Sequence, residues 1–256
     1  MRFTSLGSGS GGNALLVEAG EGGARTRVLI DCGFSARQCA LRLERRGVVP
    51  ESIDAILVTH EHSDHVAGVA VFSRRHRVPV YCSEGTARAA GLIDAKLDLQ
   101  TMVSGSREAI GAIELDPFEV PHDAAEPLQF VLSDGARRLG VVTDLGHPTA
   151  LVEEALAQLD GLVLECNHDP GLLAAGPYPA FLKARVAGDR GHLSNPQAAG
   201  LLARLDRRRL RHLVAAHLST TNNAESLARA ALLAVVGDAA GIVIATQSAG
   251  SPWIEL

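Results

Sequence analysis

The seven residues THEHSDH, Thr59 to His65, stand directly after the apolar run DAILV, and no other part of the chain restricts its fold and chemistry as strongly. The stretch 54–59 predicts a buried strand, bounded as it is by polar residues and rich in branched side chains. In extended backbone alternate side chains point the same way, so His60 and His62 share a face, while Asp64 and His65 fall at the turn into a helix. The helix dipole favours a carboxylate at that position. Four potential metal donors thus converge at the end of a buried strand. A polar surface loop is the ordinary alternative, but the wholly apolar strand in front argues for a metal centre.

The surrounding pattern predicts strands over 2–6, 14–19 and 27–31, a helix from 34 to 46 closed by Gly47, and a helix from 65 to about 75. A strand at 78–82 and a short helix at 84–91 follow. Extended segments are predicted near 108–110, 113–120, 128–133 and 139–143, with Asp134-Gly135 as a hairpin turn. The last third alternates: helix 149–159, strand 161–166, an irregular stretch, helix 196–204, strand 212–216, helix 225–236, strand 241–246. Each half runs from strands into helices, which predicts an α+β architecture of two β-sheets packed face to face with helices outside. At 256 residues and 46% hydrophobic content, a single domain over 1–256 is expected.

Only Arg2 precedes the Gly/Ser run at 7–12, and no long apolar stretch follows, so neither a signal peptide nor a membrane span is expected, and the expected location is cytoplasmic. Cys32, Cys39, Cys82 and Cys166 lack paired-thiolate spacing and read as reduced core residues. The net charge of −5 gives no global pull toward nucleic acid. Between Phe181 and His212, however, eight basic residues face two acidic ones, a local +6 that leaves −11 for the remainder. Such a run is usually a solvated helix face, and it bears on function only if it lies beside the metal centre.

HxHxDH after an apolar strand, preceded by LIDCG at 29–33, resembles the signature of the metallo-β-lactamase superfamily, and the resemblance spans nearly the whole chain. It implies the αββα sandwich of that superfamily, two mixed sheets with helices on the outer faces. It also implies three more ligands at the ends of later strands, matched by His122 in VPHD, Asp144 in VVTDLG and His217 in AAHLS. By resemblance, one divalent metal takes His60, His62 and His122, the second takes Asp64, His65 and His217, and Asp144 bridges them. Asp31 would brace the histidine loop by hydrogen bonds. Zinc, manganese and iron all suit such a mixture of imidazole and carboxylate. His76, His147 and His212 match no ligand position, although His147 stands three residues after Asp144.

An Asp ligand at 144 where many zinc β-lactamases have Cys, and His62 where diiron oxygen reductases carry Glu, argue against those branches. LGSGSGGN at 6–13, LECNHD at 164–169, GHLSNPQAA at 191–199 and HLSTTNN at 217–223 resemble the YycJ/WalJ group of bacterial nucleases. GHLS also resembles the tRNA 3′-processing endonucleases. That likeness implies Glu165 and His192 as the pair that supplies a proton to the leaving oxygen, with Asp64 orienting the attacking hydroxide; His168 has no assigned role. The Gly-rich loop reads either as backbone N–H groups offered to a phosphate or as a tight β-turn. The function so implied is a two-metal phosphodiesterase acting on nucleic acid, DNA or RNA, in the manner of an exonuclease. A cyclic-phosphate diesterase and a lactone or thioester hydrolase are the alternatives.

Overall fold

The computed structural model describes residues 1–20, 22, 25–237 and 241–256. The first sheet contains β1 (Arg2–Gly7), β2 (Ala14–Ala19), β3 (Thr26–Ile30), β4 (Ala55–Leu57), β5 (Val80–Cys82) and β6 (Leu99–Thr101). The second contains β7 (Glu108–Ile110), β8 (Ile113–Glu119), β9 (Leu128–Ser133), β10 (Arg138–Val142), β11 (Gly161–Glu165), β12 (His212–Ala216) and β13 (Ile242–Ile244). The last strand, β14 (Ile254–Glu255), returns to the first sheet beside β1. Across each sheet three antiparallel pairings give way to three parallel ones, the change falling at β3 and at β10. The two halves therefore share one architecture, as the sequence pattern suggests.

Alternation along the strands divides the apolar residues into layers. Leu15, Val17, Val28 and Ile30 join Phe130, Leu132, Val141, Val163 and Val214 between the sheets. Their neighbours Leu16, Leu29 and Ile56 face outward onto α1 (Ala36–Arg45) and α3 (Val69–His76) through Leu43 and Phe72. Beyond the second sheet, Leu162, Leu164 and Leu213 pack on α5 (Ala150–Ala155), α8 (Asn195–Arg204) and α9 (Glu225–Val236) through Val152, Leu201, Leu202 and Leu232. The result is the expected αββα sandwich. Among the described residues, no helix is long and apolar enough to cross a membrane.

Three local departures from the sequence pattern have identifiable causes. The helix expected from 65 to 75 is two helices, α2 (Ser63–Val66) and α3, broken at Gly68. A Cβ at Gly68 would lie 2.2 Å from the Phe34 carbonyl oxygen, because the break is pressed against the loop that follows β3. The segment expected to be irregular contains two short helices, α6 (Pro170–Ala175) and α7 (Ala180–Val186). Residues 99–101 and 254–255 form edge strands too short to show alternation.

Candidate metal centre

The C-terminal ends of the parallel strands meet at one edge of the sandwich, and every ligand position inferred from the sequence lies there. β3 leads to Asp31, β4 to His60, β10 to Asp144, β11 ends on Glu165, and β12 leads to His217. Asp31, Asp144 and His217 have φ of 60°, 65° and 54°, a left-handed backbone that is uncommon outside glycine and that turns each side chain toward the same point.

The histidine loop is held from below. Asp31 accepts hydrogen bonds from the Thr59 amide at 2.9 Å, the Thr59 hydroxyl at 3.0 Å and His65 Nδ1 at 2.8 Å. Asp31 thus braces the loop as expected. Asn13 and Gly33 hold it from the side: the Asn13 amide donates to the Asp64 carbonyl at 2.8 Å, and a Cβ at Gly33 would sit 1.6 Å from that same oxygen.

The hydrogen bonds also fix which ring nitrogens carry protons. Carbonyl and carboxylate oxygens only accept, so Nδ1 is the N–H of His65 (to Asp31), of His122 (to the Gly191 carbonyl, 3.0 Å) and of His217 (to Glu165, 3.2 Å). Thr59 spends its hydroxyl proton on Asp31, so His60 Nδ1 donates to it at 2.9 Å. Four imidazoles therefore turn Nε2 to the interior of the cluster, with its lone pair open to a cation wherever no proton is held there. His62 Nδ1 lies 3.0 Å from one of them, His60 Nε2, and 3.3 Å from another, His122 Nε2. Lone pairs converging in this way, with Nδ1 anchored on oxygen, are the arrangement that a metal ion takes.

The donor atoms gather in overlapping groups, two of which reach Asp144, and two more match the ligand sets expected from the sequence. His60, His62 and His122 form one; Asp64, His65 and His217 form the other; within each, ligand atoms lie within 4.8 Å of one another. Asp144 Oδ1 is 3.9 Å from His122 Nε2 and 3.6 Å from His217 Nε2, and Oδ2 is 3.1 Å from His65 Nε2. Despite that proximity, the buried Oδ2 accepts no well-aligned hydrogen bond, an oxygen left for a cation. Burial would raise the Asp144 pKa, but the His217 and His65 imidazoles outweigh it and hold the group well below the usual carboxylate range. Burial conversely lowers His217, yet Asp144, Asp64 and Glu165 push it up to about 10. The carboxylates demand positive charge among these nitrogens, which divalent cations supply in place of protons.

Glu165 and His192 meet beside this cluster. Glu165 is fully buried; its Oε2 accepts the Leu145 and Leu193 amides at 2.8 and 3.0 Å, and its Oε1 accepts His192 Nδ1 at 2.8 Å. Burial opposes ionisation, but His192 and His217 bring the Glu165 pKa down to about 2. Burial likewise opposes protonation of His192, and Glu165 overcomes it and raises that pKa. The His192 side chain is 20% exposed, with Asp64 at 21% and His62 at 29%; these three form the mouth of the centre. A cavity of about 640 Å³ adjoins it, lined by Pro121, His122, Pro127, His147, Leu151 and Arg190.

Other residues are placed differently from expectation, or were not anticipated. His168 is buried with Nδ1 3.4 Å from Asn167 Oδ1, and it joins none of the metal-donor groups among the described residues. His76 and His147 bond Glu51 and the Asp189 carbonyl, outside the cluster. Asn13, whose Nδ2 is 3.1 Å from His65 Nε2, and Asn167, which donates to the His217 carbonyl at 3.1 Å, escaped the sequence reading because asparagine alone carries no spacing signal. The Gly-rich loop is not an open phosphate cradle. Four of its amides are already committed: Ser8 N to Thr246 O, Gly9 N to Asn13 Oδ1, Gly11 N to Gln247 Oε1 and Gly12 N to Gly9 O. Its glycines serve close packing instead.

The basic run is also divided. Arg207 to Arg211 precede β12, whereas the cluster lies beyond its other end. Arg209 pairs with Asp160 at 2.8 Å, just before β11, and Arg207 caps α9 at the Val235 carbonyl at 2.9 Å. With about 3.3 Å per residue along β11, Asp160 stands roughly 16 Å from Glu165. We therefore expect Arg207, Arg208 and Arg209 changed together to Gln to leave kcat/KM on any polymer within about twofold. Stability should fall instead by about 1 kcal/mol, a charge-assisted bond discounted because Arg209 is 45% exposed. Burial would raise the Asp160 pKa, but the Arg138 amide, Arg209 and Arg137 lower it. Their contribution is therefore present above about pH 4 and is lost as pH falls through the depressed folded value. Denaturant melts of wild type and triple variant should converge in acid; a triple variant as stable as wild type at pH 7 would contradict this.

Comparison with known proteins agrees with this geometry. The family model described as "Beta-lactamase superfamily domain" matches residues 26–217. The chain is 34% identical to the exodeoxyribonuclease YycJ of Bacillus anthracis over 232 residues, 90% of this chain and 86% of that one. It is 32% identical to the exodeoxyribonuclease WalJ of Streptococcus pneumoniae over 233 residues, 89% and 85% of the two chains. The metallo-beta-lactamase fold protein YhfI from Bacillus subtilis superposes with a TM-score of 0.74 at 16% identity, covering 99% of both chains. By its sequence match and by its architecture, this chain belongs to the beta-lactamase superfamily.

Proposed function

We propose that the chain is a binuclear metal-dependent phosphodiesterase that hydrolyses DNA in the manner of an exonuclease. The observation that carries this reading is the Glu165–His192 pair standing 3.4 Å from Asp144, a proton donor set beside a double donor site for metal. The relatives named above, exodeoxyribonucleases alike over most of this chain, support the choice of substrate.

His60, His62 and His122 would hold one cation, Asp64, His65 and His217 the other, and Asp144 both. Such cations, whether zinc, manganese or iron, supply Lewis acidity and lower the pKa of water. The remaining work belongs to side chains at the mouth. Asp64, the cluster carboxylate that reaches solvent, orients the attacking water by accepting its hydrogen bond. His192 has Nδ1 committed to Glu165, which keeps the ring cationic and leaves Nε2 to donate a proton to the departing oxygen. Donation from that position suits a poor leaving group, the alkoxide of a nucleotide.

The test is a substrate panel on metal-supplemented protein: end-labelled DNA, RNA, cyclic nucleotides, lactones and thioesters. DNA shortened progressively from an end is the expected result. Turnover confined to cyclic nucleotides, or to lactones or thioesters, would overturn the reading.

A further inference from the structure

The segment between β11 and α8 presents Phe181 on the first turn of α7, 75% exposed, the most exposed large apolar side chain of the described residues and the one aromatic among those exposed. The position of α7 relative to the metal centre is well fixed. At its C-terminal end, the His192 amide donates to the Val186 carbonyl at 2.9 Å, and the Gly191 carbonyl accepts His122 Nδ1. Arg185 bonds Asp123, whose other oxygen is 3.4 Å from His122 Nε2 and 3.8 Å from His62 Nε2. Arg185 therefore marks the face of α7 that looks over the mouth. Phe181 precedes it by four residues and so lies on that face, one turn farther out.

The spacing suits a strand of nucleic acid. From Val186, which touches His192, back to Phe181 is five residues, or about 7.5 Å of helix. For bases stacked as in one strand of a duplex, at about 3.4 Å each, that is roughly two nucleotide steps. Arg185 between the two points is 59% exposed and can meet the intervening phosphate. A lone aromatic ring one turn from a cation is poor material for a protein interface, which needs a continuous apolar patch, but it is what an unpaired base requires: a flat face to stack on and charge to follow the backbone.

We propose that Phe181 and Arg185 form a stacking platform for an unpaired base of the substrate strand, about two nucleotides from the phosphate being cleaved. This rests on the nuclease reading above. Because every base offers a π face, the platform selects single-stranded ends without selecting sequence.

The experiment compares metal-loaded wild type, Phe181→Ala, Phe181→Trp and Arg185→Gln on single-stranded oligonucleotides of two to eight nucleotides and on bis(p-nitrophenyl) phosphate. The expected result is that wild-type kcat/KM rises with length over the first few nucleotides and that Phe181→Ala flattens this rise. The ratio of oligonucleotide to diester activity should fall about 5- to 150-fold in Phe181→Ala, the equivalent of one lost base stack. Phe181→Trp should restore it, and Arg185→Gln should lower the slope of log kcat/KM against log salt by about one. Wild-type turnover of DNA with an unchanged ratio in Phe181→Ala would overturn the platform alone. A change in sedimentation of Phe181→Ala with unchanged DNA kinetics would overturn it in favour of a protein contact. Absence of DNA turnover in the wild type would overturn the nuclease reading and the platform with it.

Discussion

Asp144→Ala is expected to lower hydrolysis by more than about a thousandfold and to release metal. Its carboxylate stands 3.1 to 3.9 Å from His65, His217 and His122, so it belongs to both donor sets, and removing it leaves each set short of a ligand. Metals of this kind contribute several kcal/mol to the transition state, and each 1.36 kcal/mol is tenfold in rate. The left-handed backbone at Asp144 complicates the alanine, which tolerates φ of 65° less well than Asp or Asn. Asp144→Asn separates the effects: it keeps the shape and the backbone preference but removes the charge. Both variants should show the same loss of rate and of metal by elemental analysis, with native circular dichroism in the asparagine variant. Retention of full activity by either would exclude Asp144 as a shared ligand.

His192→Ala is expected to cost about 10²- to 10⁴-fold on DNA, the range of general acid catalysis, and far less on a p-nitrophenyl phosphodiester. The nitrophenolate leaves without a proton, whereas the nucleotide alkoxide does not, so the two substrates separate proton donation from the rest of the chemistry. The hydrogen bonds of Glu165 refine what its own variant should do. Glu165 accepts from His217 Nδ1 as well as from His192 Nδ1, and from two backbone amides. Glu165→Gln should therefore weaken proton donation and also loosen a metal ligand, lowering metal affinity by about 10- to 100-fold, as the loss of a ligand's anchor does. Equal losses on both substrates by His192→Ala, with unchanged metal content, would remove His192 from the mechanism.

The parts legible in the sequence are those whose signal is local. His60, His62, Asp64 and His65 lie within six residues of one another behind an apolar strand, so strand geometry alone brings them together. His122, Asp144 and His217 are scattered, and their grouping followed from family resemblance; the structure brings them to the same strand ends. The sandwich was legible because alternation and helical periodicity are strong in its long elements. Helices α6 and α7 were not, since six or seven residues between prolines are too few to show a period.

Two alternatives that the sequence left open are decided only in the fold, because sequence distance is not spatial distance. His192 and Arg209 are 17 residues apart in a net-basic segment, yet α8 carries the chain from the metal edge to the opposite edge, where Arg209 meets Asp160. The glycine loop resembled an anion cradle, but an amide serves an anion only if nothing else accepts from it, and here Asn13 and Gln247 already do. Partners that complete a hydrogen-bond account are invisible until the chain is folded.

On the proposed function, two metal ions sharing Asp144 enable this chain to degrade DNA. The most direct measurement is a titration of thoroughly chelated protein with manganese or zinc, followed by release of nucleotides from end-labelled DNA. No release is expected without metal, and on titration a rise that reaches its plateau at about two equivalents per chain. Full DNA hydrolysis by the chelated protein, or a plateau at one equivalent with no second metal bound, would contradict it.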